Sequence, residues 1–338
     1  MVARRGDGEQ VRFIPIERED LKRILACSAV IAAAIAAFGC VQAQFFGEGF
    51  LIKLGYGIDY HGTGLTYIDP NYSRHFPGGL SFVRAISILQ DALSLGAYLM
   101  VFLLLLHPFC FLPAERSHRT ARLLLYLVLL AGLLYTTTRS AWIGTTVGIL
   151  FLAWRRKKLL ATSGVFLLLG VVFVLLLLSV PGGYEFLEGS LFTGKESSAV
   201  MHWSKYGWQS RVMLDNPLGL GLGMTGRTGI QFGTPLVGGF STECWYLQVG
   251  TQMGLAGFLL YLALVLETLR KLYLTAARLR DPFLRDLGNG IFAAYLGCSL
   301  FGIFLNVWSC HVIPIFMHLL VGLALFHFPL LDARETGA

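Results

Sequence analysis

A chain of 338 residues that is 55% hydrophobic and 14% charged, with a mean hydropathy of +0.64, carries too much apolar surface for a soluble domain with a water-facing skin. It belongs in a bilayer, and its formal charge of +7 follows from where Lys and Arg flank the apolar runs, so no nucleic-acid partner is indicated. The six cysteines have no metal-ligand spacing, and neither a metal nor a cofactor is expected.

In chain order, a charged and polar leader precedes the first apolar run, and no cleavable signal is evident because that run continues to a spanning length. Runs able to cross the hydrocarbon core occur near 22–42, 91–112, 121–137, 140–154, 159–180, 247–269, 287–307 and 311–331, although 140–154 is short for the usual ~20 residues. The Leu-rich runs lack the alternation of barrel strands, and backbone groups in lipid must be paired within the chain. The expected fold is therefore all-α: one polytopic membrane bundle over residues 1–338 with about eight spans. Most of the 27 basic residues, among them Arg18, Arg122, Arg155, Arg156, Lys157, Lys158, Arg278 and Arg285, then fall on one side. The positive-inside rule makes that side the cytoplasm and puts both termini there.

Two segments leave the bundle on the outer side, 43–81 and 181–246. The first, with Asp59, His61, Asp69-Pro70-Asn71 and Arg74, reads as turns and short loops and is a candidate lid. Just after it stands Arg84, with Asp91 two turns on, which reads equally as a substrate contact or as a buried ion pair. Between two runs, Thr136-Thr137-Thr138-Arg139-Ser140 makes a donor-rich turn, the alternative being an arginine that snorkels at a helix hairpin.

The second excursion is expected to be partly helical. From Glu196 to Asp215, Val200, Trp203, Gly207, Ser210 and Leu214 recur at three- and four-residue spacing, and Asn216-Pro217 stops the pattern. It reads as an amphipathic helix on the outer leaflet, with Trp203 and Trp208 as interface anchors or sugar platforms. Gly221-Leu222-Gly223-Met224-Thr225-Gly226 fits a dinucleotide fingerprint by chance; no strand precedes it, and the glycines are read as a tight re-entry turn. Glu243, at the mouth of the next run, is a candidate general base toward a sugar hydroxyl, or else an acid that complements a helix N-terminus. Cys244 and Cys310 both map near the outer face, which leaves a disulfide between them open. His61, His75, His202 and His311 share that side without ligand spacing.

Arg84, Arg139 and Arg211 thus fall on one face of the membrane, and guanidinium forks bind phosphate oxygens bidentately at any working pH, which suits a pyrophosphate headgroup. With Lys205, Trp203, Trp208 and Tyr246 they form the expected substrate-binding set around Glu243.

Together these residues resemble the O-antigen ligase and polymerase superfamily of bacterial envelope enzymes. Three stretches carry the resemblance: Thr138-Arg139-Ser140-Ala141-Trp142, opening a helix that ends in Arg155-Arg156-Lys157-Lys158; Trp208-Gln209-Ser210-Arg211 followed by Asp215-Asn216-Pro217-Leu218-Gly219-Leu220-Gly221-Leu222-Gly223; and Thr242-Glu243-Cys244-Trp245-Tyr246-Leu247-Gln248 leading into Gly254-Leu255-Ala256-Gly257. The resemblance covers roughly Arg84 to Leu331. It implies a metal-independent glycosyltransferase of the bacterial inner membrane that takes undecaprenyl-pyrophosphate-linked glycans as donors and a glycan as acceptor, with Arg139 and Arg211 on the pyrophosphate. Glu243 stands where ligases carry a His before an Asn, which turns the expectation toward a polymerase of O-antigen, capsule or exopolysaccharide repeat units and away from ligation. Family members have more spans than this chain, and the missing ones would be N-terminal.

Two other classes remain open from the residues alone. A transporter or lipid flippase would use the arginines as a substrate path, but the internal repeats and broken mid-membrane helices expected of one are not evident. A non-catalytic partner of a polysaccharide assembly is the third reading, and glycan chain length in a strain lacking the protein separates all three.

Overall fold

The computed structural model describes residues 3–4, 10–11, 16–46, 52–53, 55, 73–75, 81–89, 91–110, 116–158, 197–226, 244–309 and 312–336. Within them the protein is a helical bundle with two antiparallel hairpins of very short strands, Ala3–Arg4 with Gln10–Val11 and Ser73–His75 with Ser81–Val83. The helices are α1 (Arg18–Phe45), α2 (Ala92–Cys110), α3 (Arg116–Tyr135), α4 (Arg139–Arg155), α5 (Ser197–Asp215), α6 (Trp245–Arg278), α7 (Pro282–Phe304), α8 (Val312–Gly322) and α9 (Phe328–Thr336). A π-helical turn, Leu323–His327, joins α8 to α9 into one rod.

Five described helices are long and apolar enough to cross a membrane: α1, α2, α6, α7 and the α8–α9 rod. The chain is thus a multi-pass membrane protein. The runs expected at 121–137 and 140–154 are the helices α3 and α4, while the run at 159–180 lies outside the described residues.

Burial explains the layering. Nearly every side chain of α2 is buried, as is most of α7, and an apolar helix hidden all round belongs at the centre of a bundle. Around them stand α1, α3, α4, α6 and the α8–α9 rod, with apolar residues such as Ile24, Ile31, Leu260, Leu264 and Ile315 turned outward, as lipid requires. Lipid gives helices no hydrophobic reason to associate, so close contact rests on small residues. Accordingly, a Cβ on Gly144 of α4 would lie 2.9 Å from the Gly297 carbonyl oxygen of α7, and one on Gly132 of α3 would lie 2.7 Å from Ala36 of α1.

One end of the bundle is tied by charge. Asp281 caps α7 by accepting from the Leu284 N–H at 2.8 Å and pairs with Arg18 at 3.1 Å, while Asp332 accepts from the Asp281 N–H at 2.7 Å. Arg156 meets Asp286 at 3.1 Å, and Arg155 donates to Asn289 at 3.1 Å. The start of α1 and the end of the α8–α9 rod therefore leave the bundle at this same, arginine-bearing end.

The largest departure from the sequence expectation is α6. It is not one rod over 247–269. Tyr246 and Tyr261 would be about 22 Å apart along a straight helix, yet their ring centroids are 5.9 Å apart, and those of Trp245 and Tyr261 are 6.3 Å apart. The helix is folded back at Gly254, whose φ of 74° and ψ of −174° no side chain tolerates, into a short limb, 245–253, and a long one, 255–278.

Candidate functional site

The end of the bundle opposite the arginine cluster collects the polar groups singled out in the sequence. Here α3 ends at Tyr135, α4 begins at Arg139, and the connecting turn passes through Thr137 with φ 48°. That is a left-handed conformation which a β-branched residue adopts only when its surroundings force it. The force comes from Arg84, 2% exposed, whose Nε donates to the Thr136 carbonyl at 2.8 Å and whose Nη2 donates to the Thr138 hydroxyl at 3.0 Å. The Thr138 hydroxyl passes the bond on to the Ala92 carbonyl at 3.1 Å, and the Ala85 N–H donates to Tyr135 O at 3.0 Å. Arg84 thus staples the segment before α2 to the α3–α4 turn, while Asp91 is buried and caps α2 through the Ser94 N–H at 2.7 Å.

Arg139, half-buried, opens α4 immediately after that turn, so Arg84 and Arg139 share one neighbourhood. The hydroxyls of Thr137 and Ser140 beside it are buried with no hydrogen-bond partner among the described residues. Replacing Arg84 with Met keeps the length of the side chain and removes its buried bonds to the Thr136 carbonyl and the Thr138 hydroxyl. The expected cost is about 1–3 kcal/mol, read as a lower Tm in detergent. An unchanged Tm would show that the turn holds itself.

The expected helix of the second excursion is α5, and Asn216 stops it as anticipated, its Nδ2 donating back to the Val212 carbonyl at 2.9 Å. Among the described residues its packed face departs from the stripe read from the sequence at two positions. Leu214 is exposed and Gly207 faces open space, whereas Tyr206, Gln209 and Met213 turn inward. The reason is tertiary: Met213 seats against Gly250 on the short limb of α6, and the Tyr206 hydroxyl donates to the Ile303 carbonyl of α7. Lys205 and Trp208 are half-buried on this helix and Arg211 is exposed; the Trp203 side chain lies outside the described set.

After α5 the glycine-rich stretch makes the anticipated re-entry turn, with positive φ at Gly219, Gly221, Gly223 and Gly226, and it docks on the break in α6. Folding at Gly254 strands the Thr251 and Gln252 carbonyls and the Leu255 N–H, which cannot stay unpaired in a membrane protein. The turn supplies all three partners. Leu220 N donates to Thr251 O at 2.9 Å, Gly221 N to Gln252 O at 3.0 Å, and Leu255 N to Pro217 O at 3.0 Å. The Gln252 Nε2 adds bonds to the Thr225 carbonyl and hydroxyl, each at 3.1 Å.

Tyr246 is half-buried and donates its hydroxyl to the Ser299 carbonyl at 2.9 Å, and Gln248 accepts from Asn306 Nδ2 at 2.7 Å, so the short limb of α6 is stitched to the end of α7. Cys244, which precedes it, is a buried free thiol. Glu243 and Cys310 both lie outside the described residues. Among the described residues no three His, Cys, Asp or Glu side chains converge as a metal site would require. Two elements escaped the sequence reading: the Gly254 break, whose only signal is a glycine inside an apolar run, and the inward turn of Gln209, for which hydropathy gives no signal.

Comparison with known proteins adds a family match. Residues 124–262 match the family model described as O-Antigen ligase, a stretch that runs from α3 into the long limb of α6 and holds Arg139, Lys205, Trp208, Arg211, Glu243 and Tyr246. No curated protein matches the chain. One solved chain, from a structure described as "Structural coordination of polymerization and crosslinking by a peptidoglycan synthase complex", is 16% identical over 92% of this chain and 90% of its own, with a TM-score of 0.41.

Proposed function

We propose, for a chain whose residues 124–262 match the family model described as O-Antigen ligase, a membrane glycosyltransferase that polymerises undecaprenyl-pyrophosphate-linked oligosaccharide repeat units at the outer face of the inner membrane. The observation that supports it most is that the family match spans the α3–α4 turn, α5 and the fold in α6, and that its residues 124–262 include every candidate residue except Arg84. In this reading the Thr136–Ser140 end is outside and the Arg155–Arg156 end is cytoplasmic, in keeping with the positive-inside rule.

The reaction follows from the residue chemistry. An acceptor hydroxyl attacks the anomeric carbon of the lipid-linked glycan, Glu243 takes its proton, and the bond from that carbon to the pyrophosphate oxygen breaks. The lipid pyrophosphate leaves with the electron pair, and Arg139 and Arg211 meet its charge with bidentate donors, no metal being required. Trp203, Trp208 and Tyr246 would offer faces for sugars and Lys205 a further cation, while Arg84 supports the turn that carries Arg139. The family description favours one second reading, ligation of the glycan to a different acceptor; Glu243, where ligases carry His, weighs toward polymerisation.

Polymer formation from purified lipid-linked repeat units in nanodiscs tests the proposal. The expected result is chain growth by the wild type and its loss, nearly as complete in Arg211→Lys as in Arg211→Ala, because a point charge cannot reproduce a forked contact. Normal polymer from Arg211→Ala at wild-type protein level removes Arg211 from the mechanism.

A further inference from the structure

Gln209 is the candidate. It is 1% exposed, and neither its Oε1 nor its Nε2 has a hydrogen-bond partner among the described residues. Its neighbours on the same face of α5 fix where it points. One turn earlier, Tyr206 bonds the Ile303 carbonyl at the end of α7, and one turn later, Met213 rests on Gly250 of the short α6 limb. Gln209 therefore faces the wedge between α6 and α7 that Tyr246–Ser299 and Gln248–Asn306 also bridge.

A buried carboxamide left unpaired costs the full desolvation of two groups, and an apolar residue of the same length would avoid that cost. The chemistry of the vacant pair narrows what completes it. Oε1 can only accept and Nε2 can only donate, so a phosphate or a carboxylate, which offers acceptors alone, would leave Oε1 unpaired. A neutral group with a donor and an acceptor side by side pairs both. Two vicinal hydroxyls of a sugar, or the acetamido group of an N-acetylated one, have that pattern.

We propose that Gln209 is a saccharide-recognition residue, which pairs with the hydroxyl or acetamido groups of the bound glycan in the α5–α6–α7 wedge. The proposal rests on the glycosyltransferase reading and adds to it a residue for the sugar, distinct from the arginines assigned to the pyrophosphate. Sites built to hydrogen-bond a substrate group discriminate steeply when either partner is removed.

The test uses the full chain in nanodiscs with two soluble probes, chitotriose, which carries acetamido groups, and cellotriose, which carries only hydroxyls. Affinities are read by calorimetry for the wild type, Gln209→Met and Gln209→Glu, with Tm alongside. The expected result is at least tenfold weaker binding of one or both trisaccharides by Gln209→Met, with a Tm equal to or above that of the wild type. Weaker binding of chitotriose alone assigns the acetamido group; equal weakening of both assigns the diol. Gln209→Glu, which loses the donor, should weaken binding as well. Saccharide affinities unchanged in Gln209→Met, or no binding of either trisaccharide by the wild type, overturn the proposal, and polymer formation in that protein would leave the glycosyltransferase reading standing. Conversely, Gln209-dependent saccharide affinity in a protein that forms no polymer supports the proposal while removing that reading.

Discussion

Gly254→Ala is expected to unseat the whole glycine-rich turn. At φ 74° and ψ −174° the residue occupies a region open essentially to glycine alone, so any side chain adds backbone strain of about 1–3 kcal/mol. A Cβ there would also run into the Pro217 carbonyl oxygen and lie 2.7 Å from the Leu218 carbonyl carbon and 2.8 Å from the Gly219 nitrogen. These are backbone atoms, which cannot rotate aside as a flexible side chain would. Relief requires separating the turn from the helix break and giving up three backbone hydrogen bonds, each worth roughly 1 kcal/mol net. The expected loss is therefore at least roughly 4 kcal/mol, with turnover falling in parallel because α5 is carried by the same junction. Leu255→Ala, one residue on and partly outward-facing, is the control and should change little. Thermal unfolding and polymer formation measured side by side decide the matter: a Gly254→Ala protein with wild-type Tm and turnover would show that the fold in α6 is dispensable.

Glu243→Gln should cut polymerisation by about 10²-fold or more if Glu243 is the base, because the amide keeps the size and the hydrogen bonds but cannot take a proton. Donor binding should survive, since the proposed pyrophosphate contacts are arginines. A helix-terminus role predicts something else, a stability loss of about 0.3–1 kcal/mol with activity largely kept. Purified lipid-linked repeat units and the Glu243→Gln protein in nanodiscs separate the two. Near wild-type turnover would make the acid structural and move the search for a base to His202, His311 or the 43–81 segment.

Much of the candidate site was legible before any coordinates. Thr136 to Ser140 announced itself because three threonines, an arginine and a serine between apolar runs have no reason to face lipid. Asn216-Pro217 marked the end of α5 because the residue before a proline is pushed out of helical geometry. Arg84 shows where such reading stops. An arginine at a membrane boundary serves a substrate or a fold equally well, and only the positions of Thr136 and Thr138, about fifty residues away in sequence, show the clamp it makes.

By itself the sequence determined the class of molecule, the positions of most of its helices and the side of the bundle on which its unusual residues gather, since hydropathy and charge act locally and bilayer thickness sets one length scale for every span. The tertiary structure alone decided that α6 folds at Gly254, that the Pro217–Gly221 turn satisfies the break, and that α5 buries Gln209 while Leu214 is exposed. Each of those outcomes depends on a partner distant in the chain. A glycine inside an apolar run is compatible with a straight helix until another segment offers hydrogen bonds to the exposed backbone, and a helix with two moderately apolar faces has no preferred side until Met213 finds Gly250.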